Sequence, residues 1–278
     1  MHTAWQIFAV LAIGVIGGCG QLAKGWQSDN PTCTEYQGNT RPFYTQASIV
    51  NAATNTNGPF APNSIMTIYG SHLAFDTAAV SPATITAGML PTELAPGVRV
   101  VIEGHAAGLY YVSPTQINLL IPNSLLPGDA LIKVTRDGVT GPCVTVVLGE
   151  VAPGIFLNRE LLIAATHPDG TVVSPSNPAA AGTWVVLYCA GLGRTAPDLY
   201  NNEIALRAMP AVHWADLAVW VEGKPVDPSR IYYAGVTPGY AGLYQINVKL
   251  PDEMGRNPEV RVAIGDSISP ASVHLAAQ

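Results

Sequence analysis

The run Ile65-Met66-Thr67-Ile68-Tyr69-Gly70, entered through Ala61-Pro62-Asn63-Ser64, recurs in character 119 positions later as Trp184-Val185-Val186-Leu187-Tyr188-Cys189. At the same offset Val98-Arg99-Val100-Val101-Ile102-Glu103-Gly104 lies over Leu217-Ala218-Val219-Trp220-Val221-Glu222-Gly223, two alternating runs each closed by Glu-Gly. A tyrosine pair follows in each, Tyr110-Tyr111 and Tyr232-Tyr233. Then come Gln116-Ile117-Asn118 and Gln245-Ile246-Asn247, a short insertion having raised the offset to 129. A last hairpin also repeats: residues 131–135, a turn at Asp137-Gly138 and residues 143–148 match residues 259–264, Gly265-Asp266 and residues 271–276. Four blocks in one order mean two tandem copies of one supersecondary plan, so the chain folds as a unit built twice.

Each copy holds six or seven short apolar runs with turn signals every 8 to 15 residues. With 27 Gly and 23 Pro in the chain, that pattern predicts an all-β fold of two tandem β-sandwich domains rather than βαβ units. The predicted division is a signal peptide or lipoprotein signal over 1–19, a polar spacer over 20–43, copy one over 44–156 and copy two over 157–278. The sequence Val151-Ala152-Pro153-Gly154-Ile155-Phe156 predicts a short packed junction, because an apolar Pro-Gly turn is not a floppy linker.

Residues 5–16 are an apolar run of signal-peptide length, short for a membrane span, which predicts export to the cell envelope or beyond. Ile16-Gly17-Gly18-Cys19 resembles the lipobox of bacterial lipoproteins, and that resemblance implies lipidation at Cys19, the chain's only expected tie to a membrane. Export implies an oxidising compartment, so Cys33 and Cys143 are the expected disulfide, with Cys189 a buried hydrophobe inside its apolar strand. The net charge of −6, with only 12% charged residues, argues against a nucleic-acid partner, since no basic surplus exists to displace counterions.

No catalytic, metal or cofactor constellation emerges from the spacing. The histidines at 2, 72, 105, 167, 213 and 274 lack zinc-ligand spacing, and no cysteine has a partner two to four residues away. Asp76 and Asp252-Glu253 lie outside any calcium-loop pattern. Ile264-Gly265-Asp266-Ser267-Ile268 resembles the nucleophile block of GDSL-type esterases, but the duplication makes Gly265-Asp266 a hairpin turn, and the oxyanion and histidine motifs that should follow do not. His167-Pro168-Asp169-Gly170 reads as a turn, and Glu103 and Glu222 as turn residues of separate copies. The surface candidates are Tyr110, Tyr111, Tyr232, Tyr233, Tyr240 and Tyr244, aromatic side chains suited to stacking on sugar rings. Strand alternation predicts that one tyrosine of each pair fills the core, leaving at most one available. The amides of Gln116, Asn118, Gln245 and Asn247 should flank buried isoleucines, facing outward or bonding neighbouring backbone.

The blocks Leu90-Pro91-Thr92, 110–118, Ala152-Pro153-Gly154-Ile155-Phe156, Asn177-Pro178-Ala179 and 242–247 occur in one order. Across roughly residues 44–278 they resemble the Solibacter-type C-terminal domain of secreted acidobacterial proteins, a family without an assigned activity. Pro62-Asn63-Ser64-Ile65 through Ile68, Gly70 and Leu73 also resembles the immunoglobulin-like fold shared by plexins and some transcription factors, which implies immunoglobulin-like sandwiches. The expectation is a non-enzymatic exported binding or adhesion module without a cofactor, holding an extracellular glycan or an envelope protein through Tyr110, Tyr111, Tyr232, Tyr233 and Tyr240. Two alternatives are an assembly protein pairing through sheet edges and, with less support, an envelope hydrolase.

Overall fold

The computed structural model describes residues 40–278. The expected signal segment, lipidation at Cys19, most of the spacer and Cys33 lie outside the described residues.

Copy one contributes β1 (Ile49–Asn51), β2 (Ile65–Tyr69), β3 (Ala78–Ala79), β4 (Arg99–Ile102), β5 (His105–Ala106), β6 (Gly108–Val112), β7 (Gln116–Leu120), β8 (Gly128–Arg136) and β9 (Val139–Leu148). Copy two contributes β10 (Gly154–Ile155), β11 (Ala165–Thr166), β12 (Trp184–Ala190), β13 (Met209–Pro210), β14 (Leu217–Val221), β15 (Lys224–Pro225), β16 (Ile231–Val236), β17 (Tyr244–Lys249), β18 (Val260–Ile264) and β19 (Ser267–Ile268). The antiparallel sheets run β1-β2-β7-β6-β3 and β5-β4-β8-β9 in copy one, and β10-β12-β17-β16-β13 and β15-β14-β18-β19 in copy two. One order thus occurs twice, with β11 added beside β12. Omitting β3 and β13, each copy has the two-sheet arrangement of an immunoglobulin sandwich, with strands A-B-E-D facing C′-C-F-G. The all-β tandem sandwich read from the sequence is the fold. The second sandwich takes up the chain at Gly154, since β10 pairs with β12.

Two-residue turns set the registers. Glu103-Gly104 and Glu222-Gly223 occupy equivalent hairpins, with φ of 46° and 78° and of 51° and 75°. Positive φ at both central residues matches the right-handed twist of the flanking strands. Each glutamate also caps backbone: Glu103 Oε1 accepts from Leu131 N at 2.6 Å, and Glu222 Oε1 from Gly255 N at 3.0 Å. The last hairpin differs between copies. Where β9 continues through a register shift at Pro142, β19 ends before Pro270, which has no N–H to donate, and pairing resumes at the Glu259–His274 bridge.

Alternation fills the cores. In copy one Met66, Ile68, Ile117 and Leu119 meet Val100, Ile102, Ile132 and Val134. In copy two Val185, Leu187, Ile246 and Val248 meet Val219, Val221, Val260 and Val262. Cys189 is fully buried as a free thiol, whereas Cys143 is disulfide-bonded. The end of the expected spacer packs onto copy one, where Phe43 N donates to Ser71 O and the Arg136 guanidinium donates to Thr40 O.

The sandwiches meet through the outer faces of their A-B-E-D sheets. Ile65 and Ala53 of copy one pack with Phe156, Ala164, Tyr188, Ala190 and Leu243 of copy two. Leu120 and Leu90 close on Ala241. Burying a side chain the size of Phe156 or Leu120 contributes roughly 1.5–3 kcal/mol. Polar bridges fix the angle: Asn63 Nδ2 donates to Tyr244 Oη at 2.9 Å, and Asn202 accepts from Gly108 N at 2.7 Å while donating to Ala106 O at 3.1 Å.

Candidate binding groove

Regular pleating would turn one tyrosine of each pair inward, and the structure corrects that expectation. In β6, Leu109 pairs with Leu119 but Tyr111, not Tyr110, pairs with Asn118, so two residues stand opposite one. Such a bulge keeps Leu109 and Val112 in the core and turns both tyrosines outward. The shift recurs in β16, between Ile231 and Tyr233 against Val248 and Asn247, with Ile231 and Ala234 in the core.

In copy one this outer face becomes the floor of a groove of about 330 Å³. Ile65, Thr67 and Tyr69 of β2 alternate with the core residues Met66 and Ile68 and so point into it, beside Asn118 of β7 and Tyr110 and Tyr111 of β6. Ala79, Val80, Ile85 and Leu90 form one flank. Phe156, Ile204 and the stretch Gly239-Tyr240-Ala241 of copy two complete the wall. The groove therefore exists only where the sandwiches join. Among the described lining residues none is Asp, Glu, His, Lys, Arg, Ser or Cys.

Hydrogen bonding separates the tyrosines by role. Tyr110 Oη donates to Ala241 O at 2.5 Å, so this phenol clamps the junction and presents only ring surface. Burial raises its pKa well above the ordinary phenol range, outweighing the hydrogen bond to Ala241. Burial likewise raises Tyr69 and Tyr240, the neighbouring Tyr188 adding to the rise at Tyr240. The hydroxyls of Tyr69 and Tyr111 have no hydrogen-bond partner among the described residues. Asn118 is oriented by its neighbours, its Oδ1 accepting from Thr67 Oγ1 at 3.1 Å and from Gln116 Nε2 at 2.9 Å. Both groups donate to Oδ1, and no described residue accepts from the Nδ2 amide hydrogens.

The other sequence candidates lie elsewhere. Tyr232 is 77% exposed on copy two, its ring edge-on to Trp184 at 6.3 Å. Tyr233 shares its hydroxyl hydrogen between Met209 O and Val236 O and joins β13 to β16, and burial pushes this phenol up to about 12. Tyr244 is fully buried, donating to Gly193 O while accepting from Asn63, which removes it from any stacking surface. Gln245 Nε2 bonds Asn247 Oδ1 at 2.9 Å, repeating the amide pair of copy one, but Val186 stands where copy one has Thr67. Ser267 lies in β19 paired with Ile264, and Gly265-Asp266 is the hairpin turn before it. Tyr69, Thr67 and Phe156 line the groove without being among the side chains expected to bind. The alternation of Ile65, Thr67 and Tyr69 against Met66 and Ile68 was the available signal for the first two.

No family model matches the sequence, and no curated protein matches it. Among solved structures the chain is similar to the Bacteroides ovatus mixed-linkage glucan utilization locus protein SGBP-B in complex with a mixed-linkage heptasaccharide, at 13% identity and a TM-score of 0.31 over 79% of this chain and 43% of that one. It is also similar to a surface glycan-binding protein of Prevotella bryantii, at 12% identity and a TM-score of 0.27 over 84% of this chain and 42% of that one. The plexin A4 extracellular region is similar at 12% identity and a TM-score of 0.28, over 94% of this chain and 20% of that one. The chain thus spans less than half the length of each. Likenesses this shallow carry no assignment.

Proposed function

We propose that this chain is a non-enzymatic, exported binding module that holds an extracellular glycan or the glycan-like face of a surface partner in the groove between its two sandwiches. The observation that carries the reading is the lining: aromatic and apolar side chains around a few oriented polar groups, the usual make-up of a ligand site. A hydrolase would need a proton donor and acceptor poised near neutral pH, and the described lining supplies no carboxylate, imidazole or amine, while burial raises the phenols of Tyr69, Tyr110 and Tyr240. The apolar run at residues 5–16 supports the exported location. Assembly through sheet edges has poorer support: the edge strands β3, β5, β10, β13, β15 and β19 have two residues each, β1 has three, and β9 carries Pro142.

The test is retention of the full chain on a panel of immobilised polysaccharides, with the eluates analysed for released sugars. Saturable retention without cleavage products, lost in Tyr111→Ala, is the expected result. Release of products at a rate proportional to protein, or retention indifferent to Tyr111, would overturn it.

A further inference from the structure

Resting on that reading, we infer that the groove selects an uncharged sugar ring with an apolar face, and that Asn118 provides the donor that orients it.

The first part follows from charge. A carboxylate or phosphate entering a groove with no Lys, Arg or His in its described lining would lose hydration without gaining a counter-charge. The net charge of −6 adds long-range repulsion of anions. Acidic polysaccharides are therefore the wrong ligands. A cation is the more serious rival, because Tyr69, Tyr110, Tyr111 and Tyr240 could surround a quaternary ammonium. Asn118 decides against it. Its Oδ1 is already saturated by Thr67 and Gln116, so the amide can offer only N–H donors, which repel a cation and require an acceptor oxygen. The Tyr69 and Tyr111 hydroxyls can donate or accept, as sugar hydroxyls do, and the phenol ring beside them takes the apolar ring face. Recognition through donors that would otherwise stay unpaired also discriminates sharply, since a ligand lacking the matching oxygen leaves them unsatisfied.

The experiment is calorimetric titration of the full chain with neutral β-linked gluco-oligosaccharides, with oligogalacturonate and with choline, each at low and high salt. Tyr111→Phe removes one hydroxyl, and Asn118→Asp keeps both accepted bonds while replacing the free donors by a carboxylate oxygen. The expected result is binding of a neutral oligosaccharide that changes less than twofold with salt, weakens severalfold in Tyr111→Phe and weakens at least tenfold in Asn118→Asp. Tighter, salt-sensitive binding of oligogalacturonate that still depends on Tyr111 would overturn neutrality and leave the glycan module standing. Choline binding strengthened by Asn118→Asp would overturn the sugar assignment in favour of a cation cage. Absence of binding to every saccharide would overturn the proposed function together with this inference.

Discussion

At the scale of single residues, the tyrosines divide by what their hydroxyls touch. Tyr110→Phe removes the bond to Ala241 O across the junction and should cost about 1 kcal/mol of stability in urea unfolding. Tyr111→Phe removes a hydroxyl that hydrogen-bonds no described residue, so stability should hold within about 0.5 kcal/mol while ligand affinity falls. A result in which the two variants are equally stable would sink this division. The buried phenols also set the alkaline limit. Burial raises Tyr44, Tyr110 and Tyr244 well above the ordinary value and Tyr233 to about 12, so the folded chain keeps protons that the unfolded chain releases above about pH 10. A raised folded-state pKa contributes stability that is whole below the unfolded value and declines above it. The urea midpoint, followed against pH, should therefore show no loss linked to these four phenols below about pH 10 and fall steadily beyond it, with their share of the tyrosinate absorbance rising as unfolding proceeds.

At the scale of elements, the doubled bulge explains both what the sequence disclosed and what it concealed. The order of blocks, the Glu-Gly turns and the alternation of Met66 and Ile68 are local patterns, so copy number, sandwich class and most of the core were legible. The bulges were not, because an extra residue shows only in the pairing register, and Tyr110-Tyr111 reads as ordinary alternation until Asn118 is found opposite both. The groove was hidden for a different reason: its floor, with Tyr69, and its copy-two wall, with Tyr240, come from segments brought together by the junction rather than by any local period. Deletion tests the bulge. Removing Tyr111 leaves Leu109 and Val112 on the core side with one tyrosine between them, so the chain should keep its β-sheet circular dichroism and a cooperative transition while losing ligand. Removing Ile117 from regular β7 shifts the register by one and carries its apolar set to the wrong face, so that variant should not fold. Equal damage from the two deletions would contradict the register described for β6.

At the scale of the whole molecule, the groove and the junction are one structure, so binding and cooperativity must be coupled. The interface buries Ile65, Leu120, Phe156 and Leu243 and is pinned by Asn202, which reaches from copy two to both Gly108 N and Ala106 O. With that much apolar surface shared, neither sandwich unfolds without exposing the other, and the chain should melt in one transition. Asn202→Ala strands the buried Gly108 N–H, which costs about 1–3 kcal/mol, and gives up a residue type that tolerates the φ of 66° found there. Its midpoint should drop accordingly. Because Ile204 and the Gly239-Tyr240-Ala241 wall belong to the same side of the junction, loosening that side should also weaken ligand binding, although Asn202 does not line the groove. In the wild type, ligand at a hundredfold excess over Kd should raise stability by about 2.7 kcal/mol and move the single transition as a whole. A ligand that displaced only part of the melting curve would mean that one sandwich binds alone, and the groove would then not be a product of the pair.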